Sequence, residues 1–165
     1  MGYTHHWKFR NGIAPMDFEN GAEKFAKAAY LGVKLCDKVR ERGIEICGGD
    51  GHFAPAFSRG KVVFNGNAEK NEDYETFAIT PDDGEYNFCK TEFRPYDLLV
   101  CLMLLDFKHF FGEDFIYWSD GVTRESIKDP KNLAYWERIG YTPKIEEDWE
   151  TAYEIWEEVE RELAA

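Results

Sequence analysis

The stretch "PYDLLVCLMLLDFKHF", residues 95–110, decides the fold. Proline is well suited to the first turn of a helix, and the residues after Pro95 are apolar nearly all round rather than along one stripe. Such a helix is central and covered on every side. It needs about as much apolar partner surface as it carries, so the flanking segments must supply it. Upstream, Tyr74 to Thr80 and Glu85 to Thr91 read as strands joined by the turn residues "PDDG", and downstream Phe115 to Trp118 reads as a strand ending in "SDG".

Working outward, Tyr3 to Phe9 is a further strand, with Tyr3, His5, Trp7 and Phe9 alternating with Thr4, His6 and Lys8. A long helix from about Asp17 to Arg42 carries Phe18, Ala22, Phe25, Ala29, Cys36 and Val39 on one stripe, with Gly43 as its terminator. Ile44 to Cys47 reads as a short buried strand, "GGDGHFAPAFSRG" (48–60) as an irregular loop, and Lys61 to Asn65 as a strand that stops at "NGN". A short helical piece spans Leu133 to Ile139. The last helix, Ile145 to Leu163, turns Trp149, Ala152, Tyr153, Trp156, Val159 and Leu163 inward. The pattern predicts an α+β fold: a largely antiparallel sheet of five or six strands on a long N-terminal helix and a buried central helix, with an acidic amphipathic helix at the C-terminus.

No repeat or linker interrupts the chain, so residues 1–165 are expected to form a single domain. No apolar run reaches the roughly 18 residues of a membrane span, and no signal region opens the chain, which predicts a cytoplasmic protein without membrane contact. Cys36, Cys47, Cys89 and Cys101 stand singly among apolar residues and read as reduced core side chains. From Glu146 to Glu162, nine acidic residues face one arginine, which is two thirds of the net charge of −12. That field argues against direct nucleic-acid binding and favours a protein partner with a basic surface.

The expected hairpin pairs Ile79 with Tyr86, Phe77 with Phe88 and Glu75 with Lys90, which puts Glu75 and Lys90 opposite each other on the apolar face. Asp97 comes next, in the first turn of the central helix, where a carboxylate complements the helix dipole. Together with the inward His5, and with Asp50 and Asn65 at strand ends, these residues outline a polar pocket able to take a small polar ligand. Cys47, Asp50 and His52 match no established metal-ligand spacing, so no metal or cofactor is expected. Ser119, Asp120 and His5 make a hydrolytic triad only on paper, because a Ser-Asp-Gly turn accounts for "SDG". No catalytic residue is therefore assigned. The crowding of Glu157, Glu158 and Glu160 at a helix C-terminus is electrostatically unfavourable. With Glu150 and Glu154 they form an acidic surface suited to a basic partner.

The set "GYTHHW", "FNG", "YETF", "FCKT", "RPYD" and "SDG" resembles a family of small phage, prophage and bacterial proteins of uncharacterised activity that open Gly-Tyr-Thr-His-aromatic. The likeness runs from Gly2 to Gly121 and leaves out the acidic helix. Where His6 stands the family often has an aromatic, which makes His5 the more interesting histidine. The resemblance transfers no catalytic residue. It implies a phage or mobile-element setting, and with it an accessory, anti-defence type of protein that inhibits or sequesters a host factor in the host cytoplasm. The rival expectation is a small hydrolase-like enzyme, with Glu75 or Asp97 as general base and His5 or Lys90 assisting.

Overall fold

The computed structural model describes residues 3–165. The elements run β1 (Thr4–Phe9), α1 (Gly21–Arg40), β2 (Ala56–Ser58), β3 (Lys61–Phe64), β4 (Phe77–Ile79), β5 (Asn87–Lys90), α2 (Asp97–Phe111), β6 (Phe115–Ser119), α3 (Pro130–Ile139) and α4 (Glu147–Ala164). Helix α2 is the axis of the core. Every residue from Leu99 to Leu104 is fully buried, and α1 and α4 pack against it. The uniformly apolar sequence and the central position are the same fact, since an all-apolar helix has no face to give to water.

Helix α1 buries Phe25, Ala28, Ala29, Leu35, Cys36 and Val39 on one stripe, as its periodicity requires. It begins later than expected. Pro15–Asp17 form a separate 3-10 turn, and Gly21 sits so close to that turn that a Cβ there would lie 1.9 Å from the Pro15 carbonyl oxygen. The C-terminal helix α4 buries Trp149, Ala152, Tyr153, Trp156 and Val159, whereas Leu163 is half exposed rather than inward.

The fold is α+β, but not with five or six strands in one sheet. The described residues form two antiparallel three-stranded sheets, ordered β5-β1-β6 and β2-β3-β4. The Ile44 to Cys47 segment contributes a single bridge, Cys47 to Asn65, instead of a strand. The expected hairpin between β4 and β5 does not form. Strand β4 pairs with β3, matching Phe77 to Phe64, while β5 pairs with β1, matching Phe88 to His6.

The cause lies in the segment from Phe9, the end of β1, to Met16. It occupies the "PDDG" loop: Phe9 N–H donates to the Gly84 carbonyl at 3.0 Å and Met16 N–H to the Pro81 carbonyl at 3.0 Å. A Cβ on Gly84 would lie 1.9 Å from the Ile13 carbonyl oxygen, so only glycine permits that approach. The loop is wedged open, and its two strands part into different sheets.

Strand β1 is the middle of its sheet. Tyr3, His5, Trp7 and Phe9 point into the core and Thr4, His6 and Lys8 away from it, as alternation demands. Its register sets His5 beside both Cys89 and Ser119, and His6 beside both Phe88 and Trp118.

Candidate functional site

The inward face of this sheet carries a buried polar chain. His5 Nε2 lies 2.6 Å from Asp97 Oδ1, and His5 Nδ1 lies 2.6 Å from Ser119 Oγ. Thr91 Oγ1 donates to Asp97 Oδ1 at 2.5 Å, and the Cys101 thiol approaches Asp97 Oδ2 at 3.8 Å. Each position has a local structural cause. Alternation turns His5 inward, the β1–β6 register delivers Ser119 to it, and Asp97 opens α2 directly beneath.

Charge is distributed unevenly within the cluster. Burial alone would raise the Asp97 pKa, but the charge and hydrogen bond of His5, with hydrogen bonds from Asp148 and Thr91, hold it below the ordinary carboxylate value. Asp148, from the first turn of α4, is pushed up to about 8 by burial and by its shared hydrogen bond with Asp97. One carboxylate is thus ionised and the other protonated at neutral pH, which lets Asp148 donate to Asp97. An ionised Asp97 only accepts, so the bond between the two is donated by His5 Nε2, and whenever the ring is neutral its Nδ1 accepts from the Ser119 hydroxyl.

His5, Asp97 and Cys101 are also the one grouping among the described residues with metal-type donors close together. The 2.6 Å between Nε2 and Oδ1 is a hydrogen-bond distance. Two donors of a tetrahedral zinc site, each about 2.0–2.1 Å from the ion, lie roughly 3.3 Å apart. As arranged, the cluster holds a proton and not an ion.

The expected pocket is divided. His5 and Asp97 meet, but the other members lie elsewhere. Asn65 is a buried pin, donating to the Tyr74 carbonyl at 2.9 Å and accepting from the Gly66 and Tyr74 amides. Glu75 does adjoin Lys90, through the backbone: its carboxylate accepts the Lys90 amide at 2.7 Å, while the Lys90 ammonium faces outward and pairs with Glu92 at 3.4 Å. Asp50 is exposed and caps its own loop by accepting from His52 N–H.

Ser119 and Asp120 part company too. Ser119 turns inward to His5, whereas Asp120 turns outward and meets His6 Nε2 at 2.9 Å. Strand alternation separates the neighbours, so the Ser119–Asp120–His5 grouping does not exist, and the carboxylate beside His5 is that of Asp97. Ser119 is the half-buried end of the chain. It lines a cleft of about 240 Å³ with Tyr117, Trp118, Thr123, Ser126 and Asn132.

The outward face of the same sheet is aromatic. His6 stacks on Trp118 with ring centroids 5.2 Å apart and planes 8° from parallel, and on Tyr86 at 5.9 Å. Tyr86 in turn stacks on Trp118 and adjoins Phe88. Tyr86, Phe88 and Trp118 remain 49%, 53% and 43% exposed, so the stack is a solvent-facing surface and not a lid on something else. An open groove of about 850 Å³ lies apart from both features, with Tyr30, Leu31, Phe57 and Leu163 among its apolar walls and Lys27, Lys34 and Arg59 at its rim. None of the residues expected in a pocket lines it.

The acidic surface is narrower than the sequence suggests. Glu158 pairs with Lys38 at 3.1 Å, Glu157 with Arg124 at 2.6 Å, and Glu162 with Lys34. These cations offset the crowding at the helix C-terminus, so that crowding needs no outside partner to explain it. Glu150, Glu154 and Glu160 stay exposed. No helix among the described residues is long and apolar enough to cross a membrane. Comparison with family models, curated proteins and solved structures finds no match.

Proposed function

We propose that this chain is a binding protein that occludes a basic surface of a host protein, using the outward aromatic face of the β5-β1-β6 sheet as its contact. The observation that carries this reading is the exposed stack of Tyr86, His6 and Trp118 with Phe88 beside it. Aromatic side chains lose little conformational entropy on binding and are enriched at the centres of protein interfaces. Their faces also attract arginine and lysine.

Charge points the same way. Exposed Asp83, Glu85 and Asp120 flank the aromatic residues in sequence, and the whole chain carries −12. The acidic helix α4 then acts at longer range, speeding encounter with a basic partner rather than supplying the contact. The phage or mobile-element setting rests on the resemblance of the sequence motifs, and inhibition of a host factor is the action such a setting favours.

The test is paired affinity capture from bacterial lysate with the wild-type chain and a Tyr86→Ala/Trp118→Ala variant, with identification of the retained proteins. The expected result is a basic protein held by the wild type, released at raised salt and absent from the variant. Identical sets of retained proteins on the two chains would remove the aromatic face from the reading.

A further inference from the structure

We propose that Ser119 is an activated nucleophile, with His5 as its general base, that accepts an acyl group from small aryl esters or thioesters. This activity is independent of the binding reading, since it uses the opposite face of the sheet.

The geometry is that of a relay with one open end. Ser119 Oγ lies 2.6 Å from His5 Nδ1, and His5 Nε2 lies 2.6 Å from Asp97 Oδ1. A nucleophile within hydrogen-bond reach of a base that a third group orients is the arrangement that activates serine. His5 and Asp97 are 0% exposed, so Ser119 alone meets the cleft. Asp97 touches no substrate and acts through His5. It is a positioning residue, itself fixed by Thr91 and Asp148.

The step balances without any co-reactant. Ser119 Oγ attacks the acyl carbon while its proton passes to His5 Nδ1, giving an imidazolium beside the Asp97 carboxylate. The tetrahedral intermediate collapses, and the bond from carbon to the leaving oxygen or sulfur breaks with its electron pair. The acyl group stays on Oγ as an ester.

Burial decides the substrate class. Because Ser119 covers His5 on the cleft side, His5 cannot hand its proton to a leaving alkoxide or amine. A phenolate or thiolate departs without one. A cleft of about 240 Å³ takes an acyl chain of a few carbons. A water molecule also has poor access to His5, so deacylation is slow and acyl enzyme accumulates.

The probe is 4-nitrophenyl acetate, monitored by 4-nitrophenolate release and by intact and peptide mass measurement. The expected result is a stoichiometric burst, with one acetyl group on Ser119 formed about 10²–10⁴ times faster than on a free serine peptide. Ser119→Ala, at a half-buried position, keeps the fold and abolishes both burst and adduct. In folded Asp97→Asn, the acylation rate constant at saturating ester falls by about 10²-fold or more, with the half-saturating concentration unchanged. A folded wild type that gives no Ser119 adduct overturns the proposal, as does an adduct formed no faster than on the free peptide or carried equally by Ser119→Ala.

Discussion

His5 Nε2 and Asp97 Oδ1 lie 2.6 Å apart, 92 residues apart in sequence, with neither side chain exposed to water. The bond fastens the central strand of one sheet to the first turn of the core helix. Removing either partner strands the other in a dry interior. His5→Ala and Asp97→Ala should each cost about 3–5 kcal/mol in chemical denaturation. The double variant should cost less than the sum of the two, because the bond between them can be lost only once and neither is then left buried without the other. Full additivity would show the two side chains to be energetically separate.

Asp148 makes stability depend on pH. Its folded pKa is raised to about 8 by burial and by the hydrogen bond with Asp97, well above an ordinary aspartate. A raised folded pKa means the native state keeps a proton that the unfolded chain has already lost. The stabilisation is therefore complete below about pH 4 and is lost as pH climbs through about 8. Asp97 has the opposite sign: held low chiefly by His5 against the effect of burial, it adds stability that disappears on acidification. Asp148→Asn, which donates to Asp97 at any pH, should lie above the wild type in thermal midpoint at pH 9 and fall less between pH 6 and 9. Parallel curves for the two chains would show that Asp148 does not titrate in this window.

The inward alternation of Tyr3 to Phe9 and the central place of residues 95–110 are legible in the sequence, because each depends on neighbours a few positions away. The division into two sheets is not. It turns on the segment from Phe9 to Met16 entering the "PDDG" loop, a contact between stretches some seventy residues apart. The polar cluster lies between these cases. Alternation places His5 inward, and the same rule applied to Ser119 and Asp120 separates them. Pairing Ser119 with His5 needs the β1–β6 register, which no local pattern encodes. Glu75 and Lys90 do end up adjacent, but Glu75 lies ahead of β4 and holds the Lys90 backbone with its amide and its carboxylate, not the Lys90 ammonium as an opposed charge pair.

The wedge at that loop can be tested at one residue. Gly84→Ala would drive a Cβ to 1.9 Å from the Ile13 carbonyl oxygen, a backbone atom with no easy retreat. The expected loss is about 3 kcal/mol of stability, read by chemical denaturation. The same substitution at Gly43, whose Cβ would meet nothing within 4 Å, should cost only the strain of its positive φ. Equal losses at the two sites would show that crowding by Ile13 is not what fixes the loop.

The glutamates of α4 should fall into two groups. Glu157 and Glu158 are tied to Arg124 and Lys38, so Gln at either position should reduce stability, by less than about 1 kcal/mol because the pairs are largely exposed. Glu150, Glu154 and Glu160 are exposed and form no ion pair among the described residues. Their triple replacement by Gln should leave the thermal midpoint nearly unchanged while slowing association with a basic partner and flattening its salt dependence. An unaltered association rate would take the helix out of the binding reading.

Asp106 poses the reverse problem to Asp97. It lies in the middle of α2, is 0% exposed, and neither carboxylate oxygen has a hydrogen-bond partner. Burial alone raises its pKa well above the usual range, so it is carried as the neutral acid. A polar group kept dry and unpaired costs about 1–3 kcal/mol. Asp106→Ala removes that cost and puts the best helix former in its place, at the expense of a small cavity. The balance favours alanine, with an expected gain of about 1 kcal/mol in chemical denaturation near neutral pH. A clear loss instead would mean that the carboxyl is satisfied in the folded chain, by a buried water.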